Sequence, residues 1–235
     1  MTARVRCIGP STPNETLLLG GRFLLRVLIL DFDGVIVESN NIKTGAFREL
    51  FSRFPDHAKP MMAYHHEHVS VSRFDKFDYL LRRLGKVDDA RLRTDLAERF
   101  ARLVRERMLE VPFVVGAETF LEKMAAKLPL YLASATPADE LGEILAHLDL
   151  GHWFRGVYGC PPWTKPNAIL DVLRREQVES NETLLVGDSA GDQRAATETG
   201  VGFLARDSGL PFDEPVPEQF PDMNQLGEHL ASRLR

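Results

Sequence analysis

The sequence predicts an α/β fold in which a doubly wound parallel sheet forms the core and an all-helical segment is inserted into it. Short apolar runs bounded by Gly, Pro, Ser or Asp alternate with helical patterns, which is typical of βαβ units. Between about Glu38 and Val111 only helical patterns occur, over a length that exceeds any crossover loop. Two acids, Asp31 and Asp33, directly follow the first apolar run, where ligands of such sheets bind.

The first strand is predicted within "FLLRVLILDF", a nearly continuous apolar run at positions 23–32. Such a run suits a central parallel strand, because a strand buried on both faces has no need to alternate apolar and polar residues. Three later runs have the same character and a fourth is weaker. They lie at Leu130–Thr136, Thr183–Ser189 and Val201–Arg206, with the weaker one at Gly156–Gly159.

Helices are predicted between these strands, because apolar residues recur there at helical spacing. Pro137 and Pro166 stand where the first turn of a helix accepts proline, and Gly200 closes a helix of small residues. The helical patterns cover 116–128, 137–148, 166–177 and 190–200. Strands and helices therefore alternate through the second half of the chain.

The inserted segment carries three further helical patterns and no strand pattern. They cover 41–54, 72–84 and 88–108. We interpret this segment as a separate helical subdomain placed between the first and second strands. The predicted organisation is a flexible leader at 1–22, a core formed by 23–37 and 112–235, and the helical subdomain at 38–111.

Composition excludes several classes of protein. The 235 residues have a net charge of −5 and no sustained basic patch, so we expect no nucleic-acid partner. No stretch approaches the roughly 20 apolar residues of a membrane span, so we expect no membrane partner. The two cysteines, Cys7 and Cys160, lack a pairing pattern, which favours a reducing, cytoplasmic location. Composition leaves the oligomeric state open.

Side chains suited to binding a metal or a phosphate follow several predicted strands at their carboxyl ends. They are Asp31, Asp33, Ser134, Lys165, Asp188 and Asp192. Carboxylates brought together at one edge of a sheet repel each other, and a hard divalent cation relieves that repulsion. Magnesium is the usual ion where phosphate is also bound. Asp192 taken alone is more typical of a helix cap than of a metal site.

Four short motifs carry a resemblance to a known family. "DFDGV", "LASAT", "KP" and "VGDSAGD" occur in this order and resemble the four motifs of the haloacid dehalogenase-like superfamily. The resemblance covers about Leu24 to Arg206, and the helical insertion is similar to the cap that many members carry after the first motif. It implies a Rossmann-like core with a helical cap.

The resemblance also implies roles for four catalytic residues. Asp31 would be the nucleophile and form an aspartyl-phosphate, which splits a difficult hydrolysis into two easier steps. Asp33 would act as general acid and then as general base; since free Asp has a pKa of about 3.9, burial and the neighbouring Asp31 are expected to raise it. Ser134 would bind a phosphate oxygen, and Lys165 would neutralise charge on the nucleophile and the phosphoryl group.

The implied metal site uses the same edge of the sheet. Asp31, the main-chain carbonyl of Asp33 and Asp188 would hold Mg²⁺, and Asp192 would support the metal-bound waters. Gly34 is expected to let the chain turn tightly so that both acids stay accessible. Gly34, Ala135 and Lys43 are included among the expected substrate-binding residues.

Within the superfamily, the sequence favours a magnesium-dependent phosphatase acting on a small phosphate monoester. Asp33 argues against a dehalogenase, because that branch lacks the second Asp. A phosphonatase would require a cap lysine to form a Schiff base, and the presence of Lys43 and Lys76 is weak support for it. A non-catalytic binding or regulatory protein on the same fold remains an alternative, against which the intact set of acids weighs.

A sugar-phosphate mutase of the β-phosphoglucomutase type is the main alternative. The stretch "VSRFDK" at Val71–Lys76 is similar to the Val-Ser-Arg of the mutase cap, where the arginine grips the non-transferring phosphate. Arg73 could therefore grip a second anionic group with Lys76 adding charge, or be a surface arginine beside the N-cap Ser72.

Three departures from the mutase pattern favour the phosphatase. Lys43 replaces the mutase histidine, Pro137-Ala138 replaces a Lys-Asn pair, and Gly187-Asp188 replaces a Glu-Asp metal pair. The stretch "YHHEH" at Tyr64–His68 is interpreted as a solvated loop of the cap, in which His66 or His68 could touch the substrate.

Overall fold

The computed structural model describes residues 24–68 and 71–233, which form a parallel sheet covered by helices. The predicted α/β, Rossmann-like fold is confirmed. The predicted leader at 1–22 lies outside the described residues. The strands are β1 (Val27–Leu30), β2 (Leu130–Ser134), β3 (Gly156–Gly159), β4 (Thr183–Gly187), β5 (Gly202–Arg206) and β6 (Gln219–Phe220), in the spatial order β3-β2-β1-β4-β5-β6.

The central strand β1 explains why helices cover both faces of the sheet. Its four residues are fully buried, and successive side chains enter different apolar clusters. Leu28 and Leu30 belong to the cluster that includes the inserted helices, whereas Val27 and Ile29 belong to the cluster on the opposite face. Because side chains alternate along a strand, a continuous apolar run can supply both cores at once.

Five helices follow the inserted segment. They are α5 (Ala117–Ala125), α6 (Ala138–His147), α7 (Lys165–Glu176), α8 (Ala190–Thr199) and α9 (Met223–Arg233). Phe120 of α5, Leu141 of α6 and Leu226 of α9 pack into the cluster of Leu28, whereas Ile169 of α7 and Ala195 of α8 pack into the cluster of Val27. The helices are therefore divided between the two faces, as a doubly wound sheet requires.

The inserted segment contains four helices that pack on one another. They are α1 (Asn40–Phe51), α2 (Pro55–Glu67), α3 (Arg73–Arg83) and α4 (Ala90–Met108). Phe47, Phe77 and Phe100 meet at their centre, with ring centroids 4.3 to 6.3 Å apart. We call α1–α4 the cap; its status as a separate domain with boundaries at 38 and 111 stays a proposal. None of the described helices is long and apolar enough to cross a membrane.

The sequence did not predict α2, and the interpretation of Tyr64–His68 as a solvated loop is wrong. Tyr64–Glu67 are helical, and the His65 side chain is buried 4.6 Å from the Phe47 ring, centroid to centroid. Two prolines argue against a helix here in the sequence, since Pro55 begins α2 and Pro60 lies inside it. The neighbouring histidines are polar and also interrupt the apolar periodicity on which the prediction of a helix depends.

The strand register sets the position of the site. Leu30 of β1 lies beside Leu132 of β2 and beside Val186 of β4. The next residues of all three strands therefore emerge at the same carboxyl edge of the sheet. Ser134 and Asp188 each lie two residues beyond these partners, so the register alone brings them close to Asp31.

Candidate active site

A cavity of about 520 Å³ lies between the carboxyl edge of the sheet and the cap. Nine of the predicted site residues line it: Asp31, Asp33, Lys43, Arg73, Lys76, Ser134, Ala135, Lys165 and Asp188. Gly34 and Asp192 are the two predicted residues that do not line it, and Asp192 is fully buried behind it. The structure thus brings the core motifs and the cap residues to one place.

Asp31 is held at the tip of β1 by two donors. The backbone N–H of Phe32 donates to Asp31 Oδ1 over 2.7 Å, and Lys165 Nζ lies 3.0 Å from the same oxygen. Asp31 lines the cavity, and Oδ2 is the carboxylate oxygen that neither of these two donors holds. A carboxylate with one oxygen fixed and the other directed at a ligand is suited to in-line attack on phosphorus.

Three buried carboxylates form a candidate metal site. Each of Asp31, Asp188 and Asp192 offers an oxygen within 4.8 Å of the others. Burial raises the pKa of Asp31 well above its usual range, and Asp192 and Asp188 raise it further against the opposing charge of Lys165. Burial and then Asp192 raise the pKa of Asp188 to about 7. An all-oxygen set whose negative charges repel this strongly fits a hard divalent cation.

Lys165 is the first residue of α7, and its local sequence fixes it there. Thr164 is the N-cap, whose side chain accepts from the backbone N–H of Asn167 over 3.3 Å, and Pro166 occupies the first turn. Lys165 Nζ donates to Asp192 as well as to Asp31. Burial disfavours its charge, but these two carboxylates outweigh burial and raise the pKa of Lys165. Lys165 is therefore a permanent cation beside Asp31.

Asp192 serves two structural purposes. Its Oδ2 accepts from the backbone N–H of Ser189 over 3.1 Å, which forms a capping box at the start of α8. Its Oδ1 accepts from Lys165. The helix-cap interpretation of Asp192 is confirmed by this geometry, and the same side chain positions Lys165. Support of metal-bound waters by Asp192 stays a prediction.

Asp33 is bound by four side chains, and its pKa contradicts the expectation from sequence. Ser39 Oγ donates to it over 2.5 Å, Thr136 Oγ1 over 3.2 Å and Ser134 Oγ over 3.3 Å, and Lys43 Nζ lies 2.5 Å away. Burial favours the neutral acid. The charge of Lys43 and the hydrogen bonds from Lys43, Ser39 and Thr136 together outweigh burial, so the pKa of Asp33 is lowered. The prediction of a raised pKa was wrong because it left out the cap lysine.

Three functional residues were missed from the sequence. Ser39 and Thr136 hold Asp33, and Asn40 Nδ2 donates to Asp188 Oδ2 over 2.7 Å. Ser39 and Asn40 stand at the start of α1, within ten residues of the first motif, and Thr136 is the last residue of the second motif. Their nearness in sequence to the motifs was the available signal. Hydroxyl and amide side chains at helix starts are so often caps that the pattern alone does not distinguish the two roles.

The loop after β1 is tied to the far side of the sheet. Arg206, at the end of β5, donates to the Gly34 carbonyl over 3.2 Å and to both carboxylate oxygens of Glu38, one of them over 3.1 Å. Glu38 precedes the first helix of the cap. Arg206 therefore holds the loop of Asp31 and Asp33 and the entry into the cap in one arrangement.

The cap places its predicted residues differently from one another. Arg73 forms two hydrogen bonds with the Glu140 carboxylate of α6, one over 2.8 Å, so it is not a free surface arginine, although Ser72 is the N-cap as expected. Lys76 is only 2% exposed and faces the cavity. Lys43 joins the cap to Asp33. Gripping of a substrate by Arg73 stays a prediction; two of its guanidinium N–H donors are already bound to Glu140.

The sequence of the chain matches a known protein family. A family model described as haloacid dehalogenase-like hydrolase matches residues 28–206, which include the four motifs and the whole cap. The chain belongs to the haloacid dehalogenase-like hydrolase family.

Relatives within this family include phosphatases. Phosphoglycolate phosphatase of Pseudomonas syringae pv. tomato is 31% identical over 108 residues, which span 44% of this chain and 39% of that relative. A solved structure from Haemophilus somnus, described as a predicted phosphoglycolate phosphatase, has a TM-score of 0.72 at 16% identity and covers 89% of this chain and 100% of its own. β-Phosphoglucomutase from Clostridium difficile has a TM-score of 0.71 at 16% identity, covering 89% of this chain and 97% of its own. The two structures share the fold.

One departure from the mutase pattern has a packing reason in this haloacid dehalogenase-like chain. A Cβ added at Gly187 would lie 2.2 Å from the Asp192 Cβ. A glutamate at this position would therefore require the capping box of α8 to move. Gly187 lets Asp192 approach the end of β4 and reach Lys165.

We predict that Gly34→Ala disables the site. Gly34 has a φ of +74°, and an added Cβ would lie 1.8 Å from Asp188 Oδ2 and 2.7 Å from Asn40 Nδ2. Displacement of Asp188 on that scale should lower kcat/KM by about 10²-fold. Gly85→Ala is a matched control, because Gly85 has a φ of +65° and nothing within 4 Å of an added Cβ. Steady-state kinetics and thermal unfolding of both variants test this; equal activity of the two would contradict it.

We also predict a pH-dependent stability that a divalent cation removes. The folded pKa of Asp188 is about 7 against an ordinary 3.8, so without metal the folded protein retains a proton that the unfolded chain has lost. Unfolding free energy from this group should therefore fall as pH rises from about 4 to about 7. Added divalent cation should restore stability at about pH 8 and release protons. The check is thermal unfolding with chelator and with cation; an identical pH profile in Asp188→Asn would refute the assignment.

Proposed function

We propose that the protein is a magnesium-dependent phosphatase that hydrolyses a small phosphate monoester through an aspartyl-phosphate on Asp31. The observation that carries this proposal is the placement of Asp31, which lines the cavity with one oxygen bound by Lys165 and lies beside the carboxylate of Asp188. The phosphatase names of the sequence relatives support the same reaction class. A cytoplasmic location stays part of the proposal.

In the first step, Asp31 Oδ2 attacks phosphorus and the ester oxygen leaves with a proton from Asp33. Lys165 offsets the negative charge that collects between the nucleophile and the phosphoryl oxygens. The hydroxyl of Ser134, which donates to Asp33 over 3.3 Å in the present arrangement, would donate to a phosphoryl oxygen of the bound substrate. Magnesium, when held by Asp31 and Asp188 with the Asp33 carbonyl, would neutralise charge on the same oxygens.

In the second step, Asp33 accepts a proton from water, which attacks phosphorus, breaks its bond to Asp31 and releases phosphate. The proton given up in the first step is thereby recovered. This cycle requires Asp33 to be protonated when substrate arrives, whereas Lys43 keeps its pKa low in the present arrangement. An arriving substrate that draws Lys43 away would let the pKa of Asp33 rise, because burial then dominates.

The substrate we propose is a short ester with a second anionic or polar end. The cavity of about 520 Å³ lies between the carboxyl edge of the sheet and the cap, so the alcohol portion of the substrate would lie against cap residues. Its cap wall includes Lys43, Lys76 and Arg73, which favour an anion at the far end. Since the sequence relatives carry the name phosphoglycolate phosphatase, 2-phosphoglycolate is the first compound to assay.

We expect turnover to require magnesium and Asp31. Phosphate release from a generic aryl phosphate should disappear with chelator and return with Mg²⁺, while Ca²⁺ should substitute poorly because its looser coordination disturbs in-line geometry. Asp31→Asn should lower kcat by at least about 10²-fold, since a covalent step is lost. Asp88→Asn, at an exposed position outside the cavity, is the matched control. Full activity without metal, or in Asp31→Asn, would overturn the mechanism.

We expect release of phosphate to exceed phosphoryl transfer between sugars. With a sugar 1-phosphate and a bisphosphate primer, a mutase would form the 6-phosphate faster than free phosphate. Lys43, in place of the mutase histidine, is bound to Asp33 and Thr136 in this chain. Parallel measurement of inorganic phosphate and sugar 6-phosphate decides the matter, and predominant 6-phosphate formation would replace the phosphatase proposal with the mutase alternative.

A further inference from the structure

Three nitrogen-bearing side chains form one wall of the cavity on the cap side: Lys43 of α1, His65 of α2 and Lys76 of α3. We call them the cap cation cluster. Lys76 Nζ lies 3.1 Å from His65 Nδ1, and Lys43 is close enough for its charge to lower the pKa of Lys76. Lys43 also reaches Asp33, so the cluster begins at the reacting groups and extends into the cap.

Lys76 is the charged residue on the buried face of α3, which is otherwise apolar. The other buried residues of α3 are Phe77, Leu80 and Leu81, and Lys76 is itself only 2% exposed. Burial, and then the charge of Lys43, lower the pKa of Lys76 to about 7. A methionine of similar length would fill the same space and has no charge for burial to disfavour. A buried amine that lines a ligand cavity and has a strongly shifted pKa is characteristic of a functional group.

His65 orients the amine of Lys76. Burial, and then the charge of Lys76, lower the pKa of His65 to about 3, so the ring is neutral. Its Nδ1 accepts from Lys76, and its Nε2 therefore carries the proton and donates to Thr44 Oγ1 over 3.0 Å. Lys76 Nζ is further held 4.9 Å from the Phe47 ring centroid. The head group is thus fixed before any ligand arrives.

Arg73, the other cation of this wall, already has an anionic partner. Its guanidinium binds Glu140 through two hydrogen bonds and lies 5.1 Å from the Phe74 ring centroid and 5.5 Å from that of Phe100. Two of the guanidinium N–H donors of Arg73 are thus already engaged, which leaves fewer for a ligand. Lys76 lies on the same wall, where it is held by the neutral ring of His65, and we take it as the anchor for an incoming anion.

We propose that the cap cation cluster binds the carboxylate of a short phosphorylated carboxylic acid, and that Lys76 is the residue that selects such an acid over a neutral phosphate ester. This assignment rests on the proposed phosphatase function and deepens it. The phosphoryl group would lie at Asp31 and Lys165, with the carboxylate at the opposite wall. A bound carboxylate would also favour the charged form of Lys76, which burial disfavours.

The test compares two esters that differ at the far end, 2-phosphoglycolate and ethyl phosphate. Lys76→Met keeps length and removes the amine, and the exposed Lys86→Met of the same cap is the matched control. Lys76→Met should lower the ratio of kcat/KM for 2-phosphoglycolate to that for ethyl phosphate by about 10- to 10²-fold, the scale of a hydrogen bond to a charged group. Lys86→Met should leave this ratio unchanged.

Thermal unfolding separates this role from a structural one. Because the amine is buried at the expense of ionisation, Lys76→Met should unfold at the same temperature as the parent or higher. A lower unfolding temperature, with equal loss on both esters, would mean that Lys76 holds the cap together and would overturn the proposal. An unchanged ratio of the two esters would also overturn it and would place the far end of the substrate at Arg73.

Calorimetry keeps the test independent of turnover. The parent for this arm is Asp31→Asn, which the proposed mechanism makes inactive, and the ligand is 2-phosphoglycolate with Mg²⁺. Binding by Asp31→Asn that weakens about tenfold or more in Asp31→Asn/Lys76→Met supports the subsite even if the wild-type chain hydrolyses neither ester. In that event the phosphatase proposal fails and the binding proposal stands. Equal binding by the two variants overturns the binding proposal alone.

Discussion

The crowding of buried carboxylates around Lys165 is the constraint on which the rest of the site depends. Asp31 and Asp192 both bind this lysine, and Asp188 adds a third carboxylate within 4.8 Å. One positive charge does not balance three negative ones in a site from which water is largely removed. Burial raises the pKa values of Asp31 and Asp188, and repulsion from the neighbouring carboxylates raises them further. A divalent cation together with a phosphate ester would complete the charge balance.

The pKa of Asp33, the proposed acid–base residue, depends on the cap as well as on the core. Asp33 lies beside Asp31 in sequence, yet its pKa shifts in the opposite direction because Lys43 reaches it from α1. Asn40, also on α1, binds the metal-site residue Asp188. A change in cap position would therefore alter both the protonation of Asp33 and the contacts of Asp188. Coupling of chemistry to the closure of a substrate-covering element is a common way to exclude water.

Contacts between cap and core are polar where the substrate would enter. Arg73 pairs with Glu140 of α6, and Arg206 pairs with Glu38 before α1. Partly buried ion pairs of this kind fix the relative position of cap and core more than they stabilise the fold, because desolvation offsets much of their attraction. The apolar centre of the cap, formed by Phe47, Phe77 and Phe100, supplies its packing. The apolar packing of the cap is continuous with that of the sheet, since Phe47, Phe77 and Phe100 belong to the same cluster as Leu28 and Leu30, and ion pairs such as that of Arg73 join cap and core beside it.

The sequence alone determined the central strands and the identity of the reactive groups. A continuous apolar run such as that of β1 has few alternatives to a strand buried on both faces, and the register of parallel strands then places Asp31, Ser134 and Asp188 at one edge. Two elements were not predictable from the sequence. The strand β6 is only two residues long, and the helix α2 contains proline and lacks the apolar periodicity that identifies a helix.

Only the tertiary structure decided how those groups are charged. Asp33 and Lys76 were both identified from the sequence, but a pKa depends on burial and on charges that approach from other elements. Lys43 lies ten residues from Asp33 in the chain and on a different helix from Lys76, yet it lowers the pKa of both. A motif fixes which residue types are present and in what order. The distances between their charges exist only after the cap has packed over the sheet.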